Sequence, residues 1–234
     1  MNAQLPQVPT EDRSVADHIA EALARKIILG ELPPGHKVGQ DAVAAEFRAS
    51  HVPVREAFRR LEARGLLVGE PRRGVRVAPI DPARVHEVAE MRAALEVLAL
   101  HHAAHALTDA DLHEARGAID AEEASKELIV WEAANRRFHC ALVAPCRMPR
   151  LLQTIDDLHQ ASARYLLATW KDLDWEPRSD AEHRAILDQL ESGKIEAAAA
   201  SLRDHILTAG RALCERLRKH RSGTLSHRPS GTRP

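Results

Sequence analysis

The sequence is poor in aromatic residues and in cysteine. Phe, Trp and Tyr together make up 3% of the 234 residues, and the three cysteines are Cys140, Cys146 and Cys214. So few cysteines in a chain of this length exclude a disulfide framework and favour a reducing compartment. No apolar run approaches the roughly 20 residues of a membrane-spanning helix, and the polar segment 1–13 does not resemble a secretory signal peptide. The sequence therefore predicts a cytoplasmic protein with no membrane association.

The sequence also lacks the common motifs of enzyme sites. It contains neither a P-loop nor a G-x-G-x-x-G motif, so nothing predicts a cradle for phosphate groups. A G-x-S-x-G nucleophile elbow is absent as well. Cys140 is adjacent to His139, but on a helix the two side chains point about 100° apart. We therefore expect no enzymatic activity.

The formal net charge of −1 hides an uneven distribution. Residues 48–76 contain eight arginines and three acidic residues, whereas residues 81–215 contain 24 acidic residues against 15 lysines and arginines. A small basic region attached to an acidic body predicts two separate activities, the first of which involves a polyanion. On composition alone, a solvated arginine face on an ordinary helix is an equally good interpretation.

Periodicity predicts a mainly α-helical chain with one small β-element. A first helix is capped by Ser14, a short second helix runs from Asp41 to about Arg48, and a third runs from the Ser50 cap to Arg64. Two short strands, at 66–68 and 75–77, flank a glycine-containing turn. This order of elements is typical of a winged helix-turn-helix whose wing is a β-hairpin.

Six longer helices are predicted after a linker at residues 78–82. Their expected ranges are 82–106, 108 onward, 126–143, 149–170, from the Ser179–Glu182 capping box to Gly193, and 195–219. We therefore predict a winged helix-turn-helix domain at 14–78 and an all-α helical bundle at 79–221. The ends, 1–13 and 222–234, are expected to be disordered.

In the first domain, the third helix is expected to lie in the major groove of DNA with its first residues at the base edges. Arginine suits bidentate contacts to guanine, and a serine hydroxyl can donate to phosphate. Arginines in the wing are expected to enter the minor groove or to bind phosphates. The predicted DNA-binding residues are Ser50, His51, Val52, Arg55, Arg59, Arg72, Arg73 and Gly74.

The segments ILGELPPGHKV, SHVPVREAFRRLEARGLLV and RRGVRV resemble the DNA-binding domain of GntR-type bacterial regulators. The usual centre of that domain is Ser-Arg-Thr-Pro-Val-Arg-Glu-Ala-Leu. His51 and Val52 stand here in place of the family's arginine and threonine, so the recognition-helix arginine corresponds to Arg55 alone. The resemblance implies that a homodimer binds a double-stranded, pseudo-palindromic operator, with an operator preference altered by the two substitutions.

In the second domain, three of the 14 histidines lie on the apolar stripes of three different helices: His139, His183 and His205. A single buried histidine is more often a satisfied core residue than a ligand. Three imidazoles that converge in a helical bundle are instead typical of a divalent-metal site completed by an oxygen ligand. Spacing alone leaves both interpretations open.

The segments NRRFHCALV and EHRAIL, with a histidine in the last helix, resemble the effector domain called FCD of the FadR branch of GntR regulators. Six helices are closer to the VanR-like subgroup than to FadR itself. In metal-binding members, an aspartate and three histidines are the ligands, and the corresponding positions are Asn135, His139, His183 and His205. The resemblance implies a zinc, nickel or manganese ion with positions open to a carboxylate-bearing effector.

Three further residues are candidates for binding that effector. Arg92 resembles the family arginine that points into the effector cavity, and Arg164 and Tyr165 are weaker candidates. Arg92 is equally suited to an intrahelical pair with Glu96, four residues later. A nearby histidine trio lacks the H-E-x-x-H pattern and predicts no metal site: His101, His102 and His105.

The sequence thus predicts a transcriptional repressor that is released by a small organic acid bound at a metal site. One alternative is a regulator for which the metal itself is the signal. Another is a metal-dependent hydrolase with a DNA-binding tether, since three histidines with an open position also suit catalysis. The hydrolase requires a general base beside the metal, and Glu182 is expected to be turned away from it on its helix.

Overall fold

A computed structural model describes residues 14–70, 73–173 and 180–225, without the side chains of 168–173 and 220–225. The chain divides into two compact units, and the main segment of the second begins at Pro79, directly after Ala78. Within the described residues, no helix is both long enough and apolar enough to cross a membrane.

The first unit is a winged helix-turn-helix, as predicted. Its elements are α1 (Val15–Ile28), β1 (Lys37–Val38), α2 (Gln40–Glu46), α3 (His51–Ala63), β2 (Leu67–Glu70) and β3 (Gly74–Val77). The strands form an antiparallel sheet in the order β1-β3-β2, with Lys37 opposite Arg76 and Leu67 opposite Val77. The strand β1 was not predicted, because two residues are too few to show an alternating pattern.

The core of this unit holds α3 in place. Ile19, Leu23 and Ile27 of α1 pack in one apolar cluster with Val54 and Leu61 of α3, and all five are at most 2% exposed. Burying each of these side chains contributes about 1.5–3 kcal/mol relative to leaving it in water. One face of α3 is therefore fixed, and the opposite face remains exposed.

The turn between α2 and α3 begins earlier than predicted. α2 ends at Glu46, and Arg48 has a left-handed backbone with φ of 50°. A left-handed residue cannot continue a right-handed helix. The Arg48 N–H instead donates to the Ala45 carbonyl at 3.3 Å, and the Ala49 N–H donates to the Ala44 carbonyl at 2.9 Å.

The second unit consists of six helices in its described part, as predicted. They are α4 (Pro82–Ala103), α5 (Asp109–Ala124), α6 (Leu128–Val143), α7 (Pro149–Leu173), α8 (Asp180–Glu191) and α9 (Ile195–Leu225). α9 extends past its predicted end at Lys219, so the tail predicted to be disordered overlaps this helix at 222–225. The rest of that tail, segment 1–13 and Ser179 lie outside the described residues.

Side-chain caps are present at the starts of α4 and α5. The Asp81 carboxylate accepts a hydrogen bond from the Ala83 N–H at 3.1 Å, with Pro82 in the first turn of α4. Thr108 and Asp111 form a reciprocal capping box at the start of α5. The Thr108 N–H donates to the Asp111 carboxylate at 2.8 Å, and the Asp111 N–H donates to the Thr108 hydroxyl at 3.3 Å.

The helical unit has one main core and a smaller apolar cluster. The fully buried members of the main core include Leu100, Ile119, Phe138, Leu142, Ile186 and Leu202. The smaller cluster contains Val85, Tyr165, Leu213, Cys214 and Leu217. The main core draws residues from all six helices, and this packing sets the positions of the polar side chains buried among them.

Candidate functional site

His139 of α6, His183 of α8 and His205 of α9 meet inside the helical unit. A nitrogen of each ring lies within 4.8 Å of a nitrogen of each of the others. The three residues are 1%, 0% and 8% exposed, respectively. The Nε2 atoms of His183 and His205 are 3.1 Å apart. The structure thus brings together the three histidines that the sequence places on separate apolar stripes.

The Nδ1 atom of each of these histidines contacts a glutamate. The pairs are His139 with Glu96 at 2.7 Å, His183 with Glu122 at 2.9 Å and His205 with Glu182 at 2.6 Å. An ionised carboxylate only accepts hydrogen bonds, so each Nδ1 carries the hydrogen. In the neutral rings, each Nε2 then carries a lone pair, which is the form that binds a metal ion.

The contact between His183 and His205 indicates that the site needs a positive centre between their Nε2 atoms. Two Nε2 lone pairs that face each other at 3.1 Å repel. The contact becomes favourable only with a positive centre between the lone pairs, either a shared proton or a metal ion. The donor set is therefore chemically suited to a divalent cation.

Burial keeps the central rings neutral. Desolvation lowers the pKa of His139 to about 3, although the Glu96 carboxylate acts in the opposite direction. The pKa of His183 is also well below its usual value, because burial and the neighbouring His139 and His205 disfavour the charged ring. Burial raises the pKa of Glu96, but Arg92 and His159 outweigh this effect and place it well below its usual value. At neutral pH, these groups are in the protonation states that metal binding needs.

Arg92 is buried and bound to Glu96. Its Nε donates to the Glu96 carboxylate at 2.8 Å, which realises the intrahelical pair suggested by their spacing. Its Nη1 donates to the Ser162 hydroxyl of α7 at 3.2 Å. His159 Nε2 lies 3.2 Å from the same carboxylate. Because Glu96 also binds His139, a continuous polar chain connects Arg92 to the histidine cluster.

The other predicted residues of this region have different surroundings. Asn135 lies on α6 one helical turn before His139 and is partly exposed. Arg164 is 2% exposed, and its guanidinium carbon lies 5.9 Å from the centre of the Tyr165 ring. Tyr165 packs in the smaller apolar cluster with Val85 and Leu213.

Four residues that contact the three histidines, directly or through Glu96, were not predicted as parts of the site: Glu96, Glu122, His159 and Glu182. Helical spacing could have indicated two of them, because His159 follows the buried Ile155 by four residues and Glu122 lies on the buried face of α5. Glu96 was considered only as the partner of Arg92. Glu182 was predicted to be turned away from the metal, but its carboxylate contacts Nδ1 of His205, one of the predicted ligands, at 2.6 Å.

The described residues contain a second group with metal-ligand spacing: Glu96, His139 and His159. The trio His101, His102 and His105 belongs to neither group.

In the first unit, the predicted reading residues of α3 share its exposed face. His51, Arg55 and Arg59 are exposed, and Val52 is 63% exposed. Ser50 occupies the N-cap position, but its side chain makes no capping hydrogen bond, and the residue is exposed. These side chains lie opposite the buried face that packs on α1.

The arginines of α3 and the wing differ in whether acidic side chains bind them. Arg60 is bound by Asp17 and Glu56, and Arg76 pairs with Glu70 at 3.1 Å. Arg55 and Arg59 form no ion pair with any described residue.

Arg73 is exposed in the wing turn, next to Gly74 with φ of 90°. Arg72, the other wing arginine predicted to bind DNA, lies outside the described residues. Unpaired arginines on α3 and an exposed arginine in the wing are what contact with a polyanion requires.

Two protein families match this chain. The family of bacterial regulatory proteins called gntR matches residues 15–77, and the FCD domain matches residues 87–208. The matched families and the similar proteins are regulators of transcription, not enzymes, so the hydrolase alternative finds no support.

Similar proteins cover most of the chain. A protein named "Probable D-xylose utilization operon transcriptional repressor" from Paenarthrobacter nicotinovorans is 33% identical and covers 82% of this chain and 86% of its own length. A GntR-family regulator from Pseudomonas syringae pv. tomato has a crystal structure that is 28% identical, with a TM-score of 0.59 over 90% of this chain and 89% of its own. The Escherichia coli protein McbR/YncC, at 23% identity, shares the fold with a TM-score of 0.71 over 87% of this chain and 99% of its own.

Proposed function

Because this chain belongs to the gntR family of bacterial regulatory proteins and carries an FCD domain, we propose that it is a cytoplasmic transcriptional repressor released by a small organic acid bound at a metal site. The observation that carries the proposal is the set of three histidines whose Nδ1 atoms are each bound by a glutamate. A structural core histidine needs one such partner. The three histidines here also bring ring nitrogens within 4.8 Å of one another, which supports a binding role over a purely structural one.

The residues that would hold the ion are His139, His183, His205 and, through its amide oxygen, Asn135. Imidazole ligands suit zinc and nickel, and an amide oxygen also suits manganese. A bound divalent ion supplies positions at which water exchanges for a carboxylate oxygen. Asn135 brings no charge to the ion, but the surrounding carboxylates of Glu96, Glu122 and Glu182 do.

In this proposal, Arg92 is the residue that recognises the acid. It reaches the cluster through Glu96 and also bonds to Ser162 of α7, so it connects two helices next to the histidines. An incoming carboxylate would compete with Glu96 for the guanidinium and thereby loosen the support of His139. Arg164 and Tyr165 remain secondary candidates, because Tyr165 packs in the smaller cluster.

The DNA-binding role of the first unit is proposed for a homodimer on a pseudo-palindromic operator. Arg55 and Arg59 would bind base edges and Ser50 a phosphate, while Arg73, with Arg72, would contact the minor groove or phosphates. A coupling of about 1–3 kcal/mol between the acid and operator sites would change operator affinity roughly 5- to 150-fold.

The test uses full-length protein and an operator selected from random DNA, with binding followed by fluorescence anisotropy. A panel of small hydroxy and keto acids is added to the wild type and to the His139→Ala/His183→Ala double variant. We expect at least one acid to release the wild type but not the double variant. The matched control is His101→Ala/His102→Ala, which should respond as the wild type does. Equal release of wild type and double variant would mean that the metal site does not sense the acid.

The same assay distinguishes the alternative in which the metal is the signal. The specific observation behind it is the facing pair of His183 and His205 nitrogens, which a metal ion between them would make favourable with no acid present. Operator binding that changes with chelator and added metal, with no acid present, would favour this alternative over the acid sensor.

A further inference from the structure

The reading face of α3 contains one apolar side chain among charged and polar ones. Val52 is 63% exposed, whereas the apolar residues on the other side of the same helix, Val54, Ala57 and Leu61, are 0% exposed. Arg55 and Arg59 follow Val52 by three and seven residues, so the three side chains share one face of the helix. Arg55 is therefore the neighbour of Val52 on this face, and Arg59 lies one turn further along it.

The nearest acidic side chain on α3 is bound by an arginine and does not neutralise the surface around this valine. Glu56, one turn after Val52, is bound to Arg60, which is also bound to Asp17 of α1. The only acidic side chain on this part of α3 is thus held toward α1. The surface beside Val52 consequently combines positive charge with a small apolar patch.

Inside the major groove, an exposed isopropyl group has one apolar partner. The four bases present hydrogen-bonding atoms at their major-groove edges, and only thymine presents a methyl group. Valine is also stiff, because in a helix one rotamer of χ1 dominates. Its two methyl groups are therefore already oriented before DNA binds.

From these observations, we propose that Val52 is a specificity-determining residue that reads a thymine C5-methyl group in each operator half-site. This inference rests on the proposed DNA-binding role of α3. It goes further because it assigns one base and one atom to a side chain that makes no hydrogen bond. The guanidinium groups of Arg55 and Arg59 would read the flanking positions.

The experiment replaces thymine by deoxyuridine, which removes only the C5-methyl group. An operator is first selected from random DNA with the full-length wild type. The symmetric thymine pairs are then replaced one pair at a time, and dissociation constants are measured for wild type and Val52→Ala. Alanine is a better helix former than valine, so the variant does not threaten α3.

We expect one symmetric pair at which deoxyuridine weakens the wild type by about tenfold, from two lost methyl contacts. Deoxyuridine at that pair should not weaken operator binding by Val52→Ala, because the variant already lacks the methyl contact. Val15→Ala, which truncates another exposed valine of the same unit, should keep the wild-type profile. Val52→Thr keeps the branched shape with one methyl group and should fall between wild type and alanine.

Other outcomes would overturn the inference. If deoxyuridine weakens wild type and Val52→Ala equally at every pair, or if the selected half-sites contain no thymine, Val52 does not read a methyl group. Arg55→Ala distinguishes this failure from that of the proposed function. If Arg55→Ala loses operator binding, α3 is still the helix that reads DNA, and only the assignment to Val52 fails. If Arg55→Ala binds the operator as the wild type does, α3 is not the reading helix.

Discussion

At the residue scale, the charge of the proposed metal site lies in carboxylates that are not themselves among the proposed ligands. Glu96, Glu122 and Glu182 bind the far nitrogens of the three histidines, fix the hydrogen on Nδ1 and make the rings better donors. Partners of this kind usually contribute 10- to 100-fold to metal affinity. The site therefore depends on residues from α4, α5 and α8 as much as on the histidines.

We predict that Glu122→Gln weakens metal binding by about 10- to 100-fold. The amide can still accept the hydrogen bond from His183, but it no longer supplies the charge. The measurement is competition for zinc with a chelating dye. Glu123→Gln is the matched control, because Glu123 is exposed and pairs with Arg184 at 2.6 Å. Equal affinities for the two variants would show that the Glu122 charge does not act on the site.

We also predict that Asn135→Asp strengthens metal binding by on the order of tenfold, since each added ligand charge raises affinity for a divalent ion. The same dye competition measures it. If Asn135 is not a ligand, the substitution on a partly exposed helix position leaves the affinity unchanged, and that result would remove Asn135 from the ligand set.

The three histidines could be predicted from the sequence, whereas the glutamates that bind them could not. Each histidine interrupts an apolar helical stripe, and this pattern is local and visible in the sequence. The glutamates are distant along the chain, with separations of 43 residues for Glu96 and His139 and 61 for Glu122 and His183. Such pairings depend on how the helices pack, which periodicity does not specify.

At the element scale, α4 and α9 pack unusually closely. A Cβ atom added at Gly210 of α9 would lie 2.4 Å from Ala89 Cβ of α4, well inside van der Waals contact. The missing side chain of Gly210 thus permits the two helices to approach. α4 carries Arg92 and Glu96, and α9 carries His205, so this contact helps to set the distance between two sides of the proposed metal site.

We predict that Gly210→Ala destabilises the helical unit by about 1–3 kcal/mol, because overpacking outweighs the gain in helix propensity. The control is Gly117→Ala on α5, whose added Cβ would only approach Arg137 at 4.0 Å. That variant should gain about 0.5–1 kcal/mol. Urea unfolding of both variants provides the measurement, and a stabilised Gly210→Ala would show that α4 and α9 adjust freely.

The elements themselves were largely predictable, and their ends less so. The caps at Asp81 and Thr108 follow from local chemistry, which is why the starts of α4 and α5 were correct. The end of α2 was misplaced because a left-handed arginine at position 48 carries no sequence signal of the kind that glycine gives. α9 continues to Leu225, beyond its predicted end at Lys219. The segment after Lys219 is polar and shows no apolar stripe, so periodicity did not predict that the helix continues.

At the scale of the whole molecule, the proposed metal binding would be coupled to the stability of the helical unit. The facing nitrogens of His183 and His205 and the buried carboxylates Glu96 and Glu122 are more favourable with a cation among them. A ligand that binds only the folded state at a thousand times its dissociation constant adds about 4 kcal/mol of stability.

We therefore predict that zinc raises the thermal transition of the helical unit and that a chelator reverses the shift. All three tryptophans, Trp131, Trp170 and Trp175, follow residue 79 in the sequence, so tryptophan fluorescence reports on the second unit. In the His139→Ala/His183→Ala variant, zinc should produce no shift. A zinc-dependent shift of the same size in that variant would place the binding elsewhere.

X-ray absorption spectroscopy of the metal-loaded full-length protein tests the proposed metal site most directly. We predict one divalent ion per chain, with three imidazole nitrogens among its nearest neighbours in the wild type and fewer in His205→Ala. A spectrum without histidine ligands, or a purified protein that binds no divalent ion at micromolar concentration, would contradict this prediction.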